Sequence, residues 1–458
     1  MSTAAATLIQ TESSAVLSES SVSLVEDEFI GLGDINTVKI EVFQHQARQV
    51  LSEIEEYTRE NRWHDILAMF YPVESRLPEL AEKGVDVEIR FRLGFVLGQV
   101  KRFDEALSEL TLCVTRDPEN FQYHSSLAYT AYNSLYAAKN REIVLAGNLK
   151  KQRVELAHRH FQRAQLLRPD GVTNFYREGM LFKQLEGKPD RALTLFKTAV
   201  IHWEALTATQ QEERHQEKKN YIKSLYQLAS VLIDTGNAKE SLRLLKICLA
   251  EDEKSNHLSL LFKYFALGKV NYHLNQLADA RDALLFALKC TNDANDDFVH
   301  ELLARTYLGM DNLSRAWEII DKAPVKARRA YYRWTEADIL CAMKAFDKAR
   351  TVLIQCQERD NRSRHKSLIR LVRIEYLCGN YQKASDYAEA AVRFFQEKWG
   401  KPLDDGLFWQ SASQLRLGNL RAARTLAMSL KAQNPRHEKL GKLMVALEKS
   451  DKIVPGAS

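Results

Sequence analysis

Apolar residues recur along most of the chain at spacings of four and three, the period of one helical face. In "FDEALSELTLCVTRDPEN" (residues 103–120) Ala106, Leu110 and Cys113 form such a stripe, small at both ends and large in the middle. Pro118 cannot continue a helix interior and pushes Asp117 out of the α region, so the pattern predicts a helix that ends there. Upstream, Phe91, Leu93, Gly94 and Leu97 in "FRLGFVLGQVKR" have helical spacing and lead into a basic turn. Together the two stretches predict a helical hairpin whose helices approach closely through their small residues.

The frame returns down the chain. It reads Ala157, Phe161, Ala164 and Pro169, then Ala192, Phe196 and Ala199, then Ser241, Leu245 and Cys248. Next come Ala280, Leu284 and Ala287, then Ala316, Ile320 and Ala323, then Ala349, Leu353 and Cys356. Ala384, Ala388 and Ala391 follow, and Ala423, Ala427 and Leu430 close the series with Pro435. The first half of the hairpin recurs as Leu228-Ala229, Leu267-Gly268 and Leu303-Ala304, and Gly236-Asn237, Gly379-Asn380 and Gly418-Asn419 mark turns. "ENRWHDILAMFYPVESRLPEL" carries Ile66, Phe70, Val73 and Pro78 as a divergent first copy. With 9 prolines and 18 glycines in 458 residues there is little material for sheet turns, and no alternating pattern competes with the helical one.

The leading small residues lie 33 to 39 residues apart, except for two gaps of 51 and 49. A period near 34 with Leu-Gly, Ala, Phe, Ala and Pro at these positions resembles the tetratricopeptide repeat (TPR) family, over roughly residues 45 to 435. The resemblance implies an all-α fold, a right-handed superhelical solenoid of TPR-like helical hairpins. The expected division is an acidic, Ser/Thr-rich disordered tail over 1–36, about nine repeats over 37–437, and a capping helix with a short tail over 438–458. The long gaps fall at "YNSLYAAKNREIVLAGNLKKQRV" and "WEALTATQQEERHQEKKN", which lack proline and predict longer helices near 133–156 and 203–220.

Chemistry narrows the function classes. No glycine-rich phosphate loop, nucleophile elbow or paired-histidine zinc motif is present, so a non-catalytic protein without cofactor or metal is expected. Asp296-Asp297 and Asp404-Asp405 stand near helix starts, where capping is the expected role. The six cysteines form no zinc-spaced or C-x-x-C group and read as reduced core residues of a cytoplasmic protein. His158 and His160 lie on different faces of one helix. The first 35 residues have neither a basic leader nor a sustained apolar run, so no membrane insertion is expected.

Charge then indicates a partner. The formal net is +5, yet Glu12, Glu19, Glu26, Asp27, Glu28 and Asp34 sit in a tail without a base, leaving about +11 on the repeats. The densest basic stretches are "KARRAYYRW" (326–334) and "RDNRSRHKSLIRLVR" (359–373). In the resemblance, the concave wall comes from first helices, at two and five residues either side of the reference leucine. That register selects Lys223, Tyr226 and Ser230, then Phe262, Phe265, Lys269 and Tyr272, then Arg305. It continues with Tyr331, Trp334 and Asp338, and with Lys366, Arg373 and Tyr376. Aromatics with interleaved cations suit a protein or peptide segment carrying acidic groups, so the first expectation is a scaffold or adaptor assembling a multiprotein complex. Two alternatives are a nucleic-acid-associated repeat protein using the 326–373 surface, and a regulator whose own tail fills the groove. Self-association through a terminal repeat is a further option. Lys366 and Arg370 match the last part of the two-carboxylate clamp of some TPR proteins, but Thr335, Glu301 and Arg305 stand where its Asn and Lys belong.

Overall fold

In the computed structural model of the chain, residues 35–291, 296–323 and 328–453 are described, the side chains of 35–40 and 451–453 excepted. The expected acidic tail therefore lies outside the described residues up to 34, and the first described helix is Ile35–Arg59. Regular structure among the described residues is entirely helical. No helix among them is long and apolar enough to cross a membrane. The described residues fall into two compact units, one ending at Ser259 and one beginning at Leu260.

Unit 1 opens with α1 (Ile35–Arg59), α2 (Trp63–Phe70), α3 (Val73–Arg76) and α4 (Pro78–Lys83). Hairpins follow: α5 (Val87–Gln99) with α6 (Phe103–Arg116), and α7 (Phe121–Lys139) with α8 (Gly147–Leu167). Next, α9 (Thr173–Leu181) runs into a π-turn (Phe182–Glu186) and pairs with α10 (Pro189–Glu204). After the short α11 (Ala208–Glu213), α12 (His215–Asp234) pairs with α13 (Ala238–Glu251).

The 133–156 stretch does lengthen α7 and α8, although a connection at 140–146 interrupts it. In the 203–220 stretch α12 reaches back to His215 and runs 20 residues, and the short α11 fills 208–213 ahead of it. Thr207 starts α11 with a capping box, its Oγ1 accepting from the Gln210 amide while Gln210 Oε1 accepts from the Thr207 amide at 2.9 Å.

Unit 2 repeats the hairpin: α14 (Leu260–His273) with α15 (Leu277–Lys289), α16 (Asp297–Gly309) with α17 (Leu313–Ile320), and α18 (Ala330–Ala342) with α19 (Phe346–Arg359). Then come α20 (Arg364–Leu377) with α21 (Tyr381–Trp399), and α22 (Asp404–Arg416) with α23 (Leu420–Gln433). The last helix, α24 (Leu440–Ile453), buries Leu440, Leu443 and Leu447.

The sequence frame is the core. Ala106, Ala157, Ala192, Ser241, Ala280, Ala316, Ala349, Ala384 and Ala423 are all fully buried, and so are the large residues four positions on wherever the frame has one. Close approach explains the small residues of the first helices. A Cβ on Gly94 would stand 2.7 Å from Leu110 Cγ, on Gly179 2.6 Å from the Phe196 ring, and on Gly268 2.5 Å from Leu284 Cγ. Seven residues after this small position the chain turns through a left-handed residue. It is glycine at Gly236, Gly379 and Gly418, but Lys101, Asn275, Asp311 and Lys344 take the same conformation.

The late small position is bonded as well as packed. The thiols of Cys113, Cys248 and Cys356 donate to the carbonyls of Val87, Ile222 and Ala330 at 3.4, 3.7 and 4.0 Å, in each case 26 residues upstream. Burial pushes the Cys113 thiol up to about 12. Core placement does not extend to all six cysteines, because Cys378 is exposed at a turn and Cys290 and Cys341 are half-buried. The aspartate pairs also differ from expectation. Neither Asp296-Asp297 nor Asp404-Asp405 caps its helix by a side-chain bond. Asp404 instead accepts from Asn434 at 2.8 Å, Asp405 pairs with His437 at 3.3 Å, and Asp297 accepts from Tyr331 at 2.5 Å, so these carboxylates tie neighbouring elements together.

Candidate functional site

Four first helices of unit 2 shape a cleft of about 440 Å³. Each contributes residues three or four apart, hence on one face. From α14 come Phe265 and Lys269, from α16 Phe298, Glu301, Leu302 and Arg305, from α18 Tyr331, Trp334 and Thr335, and from α20 Lys366 and Arg370. The packing of α14 sets its pair: Lys263, Ala266 and Val270 are buried behind, and Gly268 admits Leu284, leaving Phe265 and Lys269 on the open side.

The floor is aromatic. Phe265 meets Phe298 edge-to-face with centroids 4.6 Å apart. Trp334 is held by its indole N–H, which donates to Ser367 Oγ at 2.8 Å. Lys366 and Arg370 stand over the same ring at 5.2 and 5.4 Å, within cation–π range. Tyr331 is fixed by its bond to Asp297, and burial followed by that carboxylate pushes the phenol pKa up.

Four cations and one carboxylate line the cleft. Glu301 is buried, accepts from Thr335 Oγ1 at 2.5 Å and sits 3.4 Å from Arg305. Burial pushes its carboxyl above the ordinary range, against Arg305, the Thr335 bond and Arg370. Arg370 also pairs with Asp338 at 3.0 Å, which leaves Lys366 and Arg305 as the exposed cations of the rim.

Six of the sequence-selected residues thus line the cleft: Phe265, Lys269, Arg305, Tyr331, Trp334 and Lys366. Two more flank it, Phe262 stacked 6.2 Å from Phe298 and Tyr272 beneath the Arg305 guanidinium at 5.1 Å. Arg373 is exposed but does not line it, and Tyr376 packs on Tyr381 and Trp409 at 5.2 and 5.3 Å. Lys223 and Tyr226 belong to unit 1. Lys223 is only 8% exposed, a correction to its expected place on an open wall. Its charge lies near His257, whose pKa is lowered first by burial and then, against Asp252, by Lys219, Lys223 and Lys218. Burial pushes the half-buried Tyr226 phenol up to about 12.

No protein-family model matches the chain, and no curated protein does. Solved structures do. The apo form of the quorum sensor NprR from B. thuringiensis is similar with a TM-score of 0.54 and 11% identity, over 79% of this chain and all of that one. A tetratricopeptide repeat protein from Parabacteroides merdae gives 0.43 and 13%, covering 63% of this chain and 98% of its own. Yeast Tom70 gives 0.42 and 12%, covering 89% and 96%. The likeness is one of fold. An all-α architecture of TPR-like hairpins, expected from the frame of small and large residues, is what the described residues adopt.

Proposed function

We propose that the chain is a non-catalytic protein-interaction scaffold whose unit 2 cleft takes a segment of another protein, apolar or aromatic at its centre and acidic at its flanks. The observation that supports this reading is the pairing of an aromatic floor (Phe265, Phe298, Tyr331, Trp334) with four cations from three of its four helices, α14, α16 and α20. Rings supply contact area at low entropic cost, and the cations select carboxylates and fix register. Glu301 and Asp338 favour a protein segment whose acidic groups are few and spaced over a continuous phosphate backbone, which both carboxylates would repel.

The test is selection of a displayed library of random peptides on the full chain and on Arg305→Glu/Lys366→Glu. Enriched peptides should carry Asp or Glu beside an aromatic or aliphatic residue and bind the variant at least about tenfold more weakly. Glu301→Gln should tighten the same peptides, since it removes a carboxylate from the cleft. Equal enrichment on wild type and double variant would place recognition elsewhere. Preferential binding of a random single-stranded oligonucleotide, with a steep linear loss against log salt, would favour the nucleic-acid alternative.

A further inference from the structure

The α9–α10 hairpin of unit 1 is a residue longer between its small positions than five other hairpins of the chain. From Gly94, Ala229, Gly268, Ala304 and Ala337 to the leading small residue of the partner helix is twelve residues, whereas Gly179 to Ala192 is thirteen. The extra residue is taken up by the π-turn, after which Gly187 makes the left-handed turn one position late. Such an insertion costs helical hydrogen-bond geometry and needs outside support.

His158 on α8 supplies that support. It lies 2.8 Å through Nδ1 from Glu178 Oε1 and 2.6 Å through Nε2 from Glu186 Oε1, with its ring 4.4 Å from Phe182. An ionised carboxylate only accepts, so both contacts are hydrogen bonds when the ring carries both protons. Glu178 is 2% exposed and also accepts from Gln162 and Gln165 at 3.2 and 2.7 Å. Glu186 lies nearer the surface and pairs with Lys188. The charged groups facing His158 are thus Glu178 on α9 and Glu186 on the π-turn, with Lys188 paired to Glu186 and Arg191 of α10 over the Phe182 ring at 5.5 Å.

The turn in turn joins neighbouring hairpins. Lys183 donates to Gln227 Oε1 and Ser230 Oγ of α12 at 2.7 and 3.1 Å. Gln184 accepts from Tyr132 of α7 at 2.9 Å through its side chain and from Lys139 at 2.5 Å through its carbonyl.

We propose that His158 is a proton-operated latch fastening the π-turn to α8, so that rising pH loosens the joint by which this hairpin holds α7 and α12. On deprotonation the Nδ1–H stays with the buried, better-held Glu178, and one proton leaves Nε2 for solvent. The bare Nε2 lone pair then faces the Glu186 carboxylate, which turns away to Lys188 and water. Burial works against the imidazolium, but the hydrogen bonds and charges of Glu178 and Glu186 outweigh it, so the folded pKa lies above the ordinary 6.5. The latch is therefore fully closed below the ordinary imidazole value and opens as pH rises through the folded value.

Amide hydrogen exchange of the full chain, corrected for intrinsic rates, tests this between about pH 6 and about pH 9. Wild-type protection over 182–188 should fall about fivefold across that range, while His158→Gln is flat. Glu186→Gln, a change at the margin that leaves the fold intact, should move the transition to lower pH, and the His158 ring signals in NMR should move with it. A wild-type turn whose protection ignores pH, or a Glu186→Gln transition at the wild-type pH, would overturn the latch.

Discussion

Arg90→Ala is expected to destabilise unit 1 by about 3–5 kcal/mol, a large share of a typical domain's total. Arg90 is buried on α5 and donates to Asp86 at 2.5 Å, Glu109 at 2.8 Å and Glu74 at 2.7 Å. Asp86 and Glu109 are buried too, and Arg116 reaches Asp86 from the end of α6. The large effect comes from what remains. Without Arg90, Glu109 stays buried as a charge, although burial already pushes its carboxyl up even with the guanidinium opposing it. Glu109 then takes up a proton more readily in the folded variant, so its deficit should narrow as pH falls toward the carboxylate range. Urea unfolding at neutral and mildly acid pH measures this. A deficit independent of pH would mean that lost packing, not stranded charge, is responsible.

Phe196→Ala should cost a similar amount, about 3–5 kcal/mol, for a different reason. Phe196 is fully buried on α10 and fills the space that Gly179 leaves open, with Tyr176 at 6.1 Å. The complementary change overfills the same space: Gly179→Ala places its Cβ 2.6 Å from the ring, and about 1–3 kcal/mol is expected. Phe196→Leu/Gly179→Ala should be less harmful than the sum of its parts, since the smaller residue makes room for the added methyl. Strict additivity in denaturant unfolding would count against the interlock.

The hairpins were legible because one constraint repeats. Two helices that touch backbone to side chain need a small residue facing a large one, and sixteen residues separate Gly94 from Leu110 and Gly268 from Leu284 alike. Turns were legible where glycine held the left-handed position, and at the basic turn around Lys101; Asp311 and Lys344 adopt it without announcing it. The π-turn was also written in the sequence, as thirteen residues where twelve are usual, but it is visible only once Gly179 and Phe196 are known to touch. The register that selected Arg305 points equally to Phe298 and Glu301, five and two residues before Leu303, and both line the cleft. Lys223 satisfied the register and yet is buried, because a helix pattern says which face a residue shares, not what later covers it. The division after residue 259 left no composition shift to read.

The cleft also sets a length. Its lining runs from α14 to α20 across four first helices, and neighbouring helices pack about 8–10 Å apart, so three such steps span roughly 24–30 Å. An extended chain advances about 3.3 Å per residue, which makes roughly eight residues the shortest that reach both Lys269 and Lys366. A helical ligand, rising about 1.5 Å per residue, needs about twice as many. A shorter segment forfeits one end of the rim whatever its composition, so the spacing of hairpins acts as a ruler as well as a surface.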